Sequence, residues 1–116
     1  MTLADIASAL GLEYLTPELA VDGREVAGAH ASDLLSDVLA HAPRGGVLVT
    51  IQVHLNVIAV AVHAELSGVI FAAGRRPDEP VRRRAVEEGI AAYVSRESAF
   101  DVAGKLYALG LRGSGE

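Results

Sequence analysis

Three short apolar runs, Val47 to Ile51, Val69 to Ala72 and Ala91 to Val94, recur along the chain, and each is followed by a stretch with helical periodicity. Runs of β-rich residues without polar alternation suit strands covered on both faces. Strands that alternate with helices of about ten residues build right-handed βαβ units around a parallel sheet. The helices carry their own boundaries: Leu55 to Leu66 follows one run, Asp78 to Glu88 is stopped by Gly89, and Ser98 to Leu109 is stopped by Gly110. The expected fold class is therefore α/β, a compact sandwich with a mainly parallel sheet flanked by helices.

Upstream the signals are shorter. Thr2, Leu3, Ile6, Leu10 and Gly11 spell an N-cap, an apolar stripe and a glycine stop. Leu12 to Leu15 is an expected first strand, Thr16 to Gly23 a loop with Pro17, Asp22 and Gly23, and Arg24 to Ala29 an expected second strand. A helix is expected from Ser32-Asp33, carrying Leu34, Leu35, Val38 and Leu39 inward and ending at Pro43-Arg44-Gly45-Gly46. The expectation is one domain over 1–111 and a disordered tail over 112–116.

With 116 residues and 51% hydrophobic content, the chain suffices for one core. It has no cysteine, which excludes disulfides, cysteine-ligated metals and thiol catalysis and fits a reducing compartment. Cytoplasmic location is expected, because no secretion-signal pattern is present and Leu55 to Ala64 is too short to span a membrane before Glu65 interrupts it. A formal charge of −5 argues against non-specific nucleic-acid binding. The one basic cluster, Arg82 to Arg84, lies between Glu79 and Glu87-Glu88 and reads as a self-compensated face.

The Leu55 helix looks apolar on two sides. Leu55, Ile58, Ala59, Val62 and Leu66 are expected to pack on the sheet, while Val57, Val60, Ala61 and Ala64 form a second stripe. Covering that second stripe is worth roughly 4–8 kcal/mol, comparable with the net stability of a small domain. A homodimer that buries it is the expectation; cover by the N-terminal helix or the Leu12 to Ala29 region is the alternative.

In open parallel sheets, ligands sit beyond the carboxyl ends of the strands. There the sequence places Thr50, Gln52, His54 and Asn56 after one run, Gly74 and Arg75 after the next, and Ser95 after the third. These seven residues are the expected ligand-binding set, for an anion or a polar small molecule. Asn56 is equally an N-cap, Gly74 a turn residue and Ser98 with Asp101 a capping box. His30, His41, His54 and His63 show no metal-ligand spacing, so neither a metal nor another cofactor is expected. In "SDLLSD", Ser32, Asp33, Ser36 and Asp37 form an acidic, hydroxyl-bearing face suited to a cation or a basic partner, or simply to solvent.

The segments "ASDLLSDVLAHA", "TIQVHLNVIAVA", "GVIFAAGRRPDEPVRRRAVEEGI" and "GKLYALGL" together give the chain, from Arg24 to Leu111, a pattern that resembles the DRTGG domain family, most closely its small stand-alone members. The family is similar to the N-terminal regulatory part of HPr kinase/phosphorylase. The resemblance implies an α/β sandwich, often dimeric, used as a regulatory or ligand-sensing module for a nucleotide-like or other anionic small molecule. It also implies a redox or hydrogenase-associated signalling context, with a redox or sensor-ATPase protein as partner. The chain departs from the family's name motif, carrying Val53-His54 in place of Asp-Arg, Asn56 at a following acidic position, and Ala72-Ala73-Gly74 in place of Thr-Gly-Gly. Ligand contacts through those Asp, Arg and Thr side chains are absent, and what the motif leaves is the backbone shape around Gly74.

Catalysis is not expected. The sole lysine, Lys105, follows Gly104, but Ala99 stands where a P-loop needs its first glycine and Leu106 where it needs Ser or Thr. The function expected is a non-catalytic ligand-sensing module. The alternative is a protein-binding adaptor working through the SDLLSD segment or the dimer surface.

Overall fold

A computed structural model describes residues 1–114. Five strands, β1 (Glu13–Tyr14), β2 (Ala29–Ala31), β3 (Val47–Thr50), β4 (Gly68–Phe71) and β5 (Ala91–Val94), form one sheet in the order β1-β5-β4-β3-β2. Strands β2 to β5 run parallel, each beside its sequence neighbour, and β1 joins β5 antiparallel. The fold is α/β with a mostly parallel sheet flanked by helices, as the alternating pattern required.

The helices are α1 (Leu3–Leu10), α2 (Leu35–His41), α3 (Asn56–His63), α4 (Glu79–Glu88) and α5 (Ala99–Ala108). Strand side chains alternate between two cores. Leu48, Val69, Phe71, Ala92 and Val94 pack under α2, α3 and α4. Val47, Val49, Ile70, Ala91 and Tyr93 pack under α1 and α5. Both faces are buried, which is why β3, β4 and β5 are apolar at almost every position.

Helix ends follow local chemistry. Thr2 and Asp5 close a capping box on α1, and Gly11 ends it at φ 64°. Asp78 caps α4 by accepting from the Val81 N–H, Pro80 occupies its first turn, and Gly89 ends it at φ 72°. The Ser98 hydroxyl caps α5 by accepting from the Asp101 N–H.

Three expectations need correction. The second strand is Ala29–Ala31 and not Arg24 to Ala29. Residues from Arg24 to Val26 instead hold the chain start, with the Leu3 N–H donating to the Arg24 carbonyl and the Val26 N–H to the Met1 carbonyl. Helix α2 begins later than Ser32-Asp33, because the Ser32 hydroxyl accepts from the Leu34 N–H in a turn and Asp33 is drawn to β3. Its phase then points Val38 inward but leaves Leu34 at 65% and Leu39 at 53% exposure.

The third concerns α3. Val57, Ile58 and Ala61 are fully buried and Val60 nearly so, within a single chain, and Ala64 is half-buried. The outward stripe is Leu55, Ala59 and Val62. Ile58 and Leu66 are buried as expected, but Leu55, Ala59 and Val62 face outward and Val57, Val60 and Ala61 face inward. As the middle helix of its layer, α3 packs against α2 and α4 as well as the sheet, and so buries a wide arc. Val57, Val60 and Ala61 therefore offer almost no surface for a second subunit, and Ala64 only part of its own. Of the expected tail, Arg112 is held: its carbonyl accepts from the Ala29 N–H and its guanidinium lies 3.6 Å over the Tyr107 ring. Residues 115–116 fall outside the described range.

Candidate functional site

Helices α2, α3 and α4 cover one face, whereas α5, following β5, crosses to the other. The connections leaving β4 and β5 therefore diverge to opposite faces, the topological condition for a ligand crevice at the strand ends. In this chain backbone hydrogen bonds seal the two loops to each other there. Ala73 and Gly74 sit at φ 58° and 67°, a consecutive left-handed pair. Their N–H groups donate to the Glu97 carbonyl at 2.6 Å and the Ser95 carbonyl at 2.8 Å. Ser95 is itself buried; its N–H donates to the Phe71 carbonyl and its hydroxyl accepts from the Glu97 N–H. Gly74 and Ser95 thus tie the β4 and β5 loops together, and their amides are spent on that.

Beside the seal lies a concavity of about 660 Å³ lined by Leu10, Glu13, Gly74, Arg76, Ser95 and Arg96, among others. Its two carboxylates are paired, whereas Arg96 is exposed and has no acidic partner among the described residues. Arg76 grips Glu13 through two bonds of 2.7 and 2.6 Å, and Lys105 reaches Glu97 at 2.8 Å. The Arg76 guanidinium holds the Glu13 carboxyl below its ordinary range.

On the other side of the β4–α4 loop, a groove of about 400 Å³ runs between the starts of α3 and α4. Gln52, Val53, His54, Leu55, Arg75, Asp78, Pro80 and Val81 line it. The expected set thus divides: Gln52, His54 and Arg75 share this groove, while Gly74 and Ser95 belong to the other side. Asn56, the first residue of α3, is exposed, and His54 does the capping, its Nδ1 accepting from the Asn56 N–H at 3.1 Å.

Thr50 is fully buried and contributes structurally. Its hydroxyl donates to Asp33 Oδ1 at 2.8 Å and accepts from the Gln52 N–H at 3.1 Å. The same Asp33 oxygen accepts from the Ile51 N–H at 2.8 Å, and Gln52 Nε2 donates to the Asp33 carbonyl at 3.2 Å. Asp33, expected to face a partner, instead braces the β3–α3 loop. Nothing in its spacing along the sequence signals this, because the contact spans two βα connections.

The acidic face of SDLLSD is likewise dispersed. Asp37 turns to His30 Nε2 at 2.7 Å and His41 Nδ1 at 3.0 Å, leaving Ser36 exposed. The hydrogen bonds from His30, Ser32 and His41 hold the Asp37 carboxyl down at about 2. Among the described residues no group of three or more histidine or carboxylate side chains is placed to hold a metal ion, and no helix is long and apolar enough to cross a membrane.

No family model and no curated protein matches the chain. A solved structure does: the CBS and DRTGG domains of the regulatory region of Clostridium perfringens pyrophosphatase, complexed with its activator, diadenosine tetraphosphate. The likeness has a TM-score of 0.67 at 15% identity and covers 90% of this chain. This chain spans 47% of the neighbour's length, about half. At that identity the likeness is one of fold, and by fold this chain is a DRTGG-like domain.

Proposed function

We propose that the chain is a non-catalytic regulatory module that senses a nucleotide-like or other anionic small molecule at the rim beyond β3, β4 and β5. The observation that carries this reading is the groove beside the β4–α4 loop, where Arg75 is exposed and has no acidic partner among the described residues. Pockets for small ligands fall in the range of about 300–1,000 Å³. The fold neighbour is a regulatory region complexed with a nucleotide activator, which supports the same use of this fold. Polar side chains in the groove already serve as braces and caps, and no nucleophile, base and oxyanion donors gather there.

Thermal-shift measurement against a panel of nucleotides and phosphorylated metabolites tests the proposal, because a ligand that binds the native state raises the melting temperature by mass action. A concentration-dependent rise with at least one anionic compound is expected. A flat response across the panel would end this reading.

A second reading, docking to protein, has its own support. Leu34, Leu39, Leu55 and Val62 are exposed on α2, α3 and the residues that precede them. The exposed stripe of α3 also carries no charge, so a second copy of a chain with net charge −5 meets least repulsion there. In this reading the homodimer forms through the outward stripe, and a redox or sensor-ATPase protein is the further partner implied by the resemblance. Light scattering at high micromolar concentration separates the two: a dimer mass that Val62→Glu abolishes supports docking, and a monomer mass removes the homodimer.

A further inference from the structure

The groove between α3 and α4 offers a defined set of unspent hydrogen-bonding groups over an apolar floor. Because His54 Nδ1 accepts from a backbone N–H, the imidazole proton resides on Nε2, which is left as a donor. Gln52 spends its Nε2 on the Asp33 carbonyl and keeps its side-chain oxygen as an acceptor. Asp78 uses Oδ1 to cap α4 and retains its second carboxylate oxygen. Arg75 retains its whole guanidinium. Leu55, at 38% exposure, and Pro80 supply the apolar surface.

Asp78 lines the groove together with Arg75, so a ligand with only anionic groups would meet a carboxylate as well as the guanidinium. A purely apolar ligand would bury the Gln52, His54 and Asp78 groups without partners, at a cost. A ligand that satisfies the set has a flat, partly apolar body, an edge with both donors and acceptors, and one anionic group.

We propose that this groove is a nucleoside monophosphate site. The base lies on Leu55 and Pro80, its edge meets the Gln52 oxygen, the Asp78 carboxylate and His54 Nε2–H, and the phosphate pairs with Arg75. The proposal rests on the ligand-sensing reading and narrows it to one groove and one ligand class.

Calorimetric titration of the whole chain with AMP, UMP, adenosine and inorganic phosphate tests it. At least one of the two nucleotides is expected to bind, with inorganic phosphate failing to compete. Arg75→Ala should weaken nucleotide binding about tenfold, the value of one charge-assisted hydrogen-bonded contact, while leaving adenosine unchanged. Leu55→Ala, at an exposed position, should weaken nucleotide and nucleoside alike. Inorganic phosphate that binds as tightly as AMP would overturn the proposal, as would a lack of binding by both AMP and UMP. Nucleotide binding that survives Arg75→Ala and Leu55→Ala but is lost in Arg96→Ala would also overturn it, while leaving the sensing reading intact.

Discussion

The Thr50 hydroxyl, buried at the end of β3, donates to Asp33 Oδ1 at 2.8 Å, linking the segment before α2 to the loop that opens the groove. The same oxygen receives the Ile51 N–H. Asp33→Ala should therefore release both donors and cost about 1–3 kcal/mol of stability, as removal of a charged hydrogen-bond partner generally does. Urea unfolding measures this. A cost below about 0.5 kcal/mol, typical of an unattached surface residue, would show that the brace is not made.

The inner and outer faces of α3 give a paired test. Ile58→Ala empties a fully buried position and should cost about 2–5 kcal/mol. Val62→Ala acts on the exposed stripe and should change stability by about 0.5 kcal/mol or less. Equal costs would contradict the assignment of inner and outer faces.

Much of this architecture was legible in the sequence, and the unread part has a physical cause. Strand β5 and the caps at Asp78, Gly89 and Ser98 stand where local pattern put them, because capping and β-rich runs are local effects. The outward stripe of α3 was not legible because nearly all its residues are apolar; periodicity then identifies a helix and buries Ile58 without orienting the rest, and the flanking α2 and α4 decide. Among site residues, Gln52, His54 and Arg75 converge as the strand-end rule suggests. The brace from Asp33 to Thr50 and the sealing of Gly74 against Ser95 were not legible, since both arise from contacts between separate loops.

Tyr93 stacks on Tyr14 with ring centroids 4.9 Å apart, and its buried hydroxyl has no hydrogen-bond partner among the described residues. Tyr93→Phe should be neutral or stabilising, by up to about 1 kcal/mol, because it removes an unsatisfied polar group. Tyr14→Phe should instead destabilise by about 1 kcal/mol, losing a 2.7 Å bond to the Leu19 carbonyl. Burial pushes the Tyr93 phenol up to about 12. Stability is independent of this ionisation below pH 10 and declines as pH rises from 10 towards 12, because the unfolded chain loses the proton first, a decline that Tyr93→Phe should remove. Parallel alkaline profiles for the two proteins would count against the buried phenol.

Acid should expose the Asp37 contacts. The carboxyl is held at about 2 against an ordinary 3.8, so its contribution is present above pH 3.8 and is lost as pH falls through 2. The melting-temperature gap between the native chain and Asp37→Asn should therefore close between pH 4 and 2. A gap that persists unchanged at pH 2 would show that charge on Asp37 is irrelevant to its role.

The most direct measurement of the central claim is a backbone amide NMR titration of the full chain with AMP and UMP. Shifts should cluster at Gln52 to Leu55 and Arg75 to Val81, the two walls of the groove. Spectra unchanged by either nucleotide, or shifts confined to α2 and α5, would contradict the account.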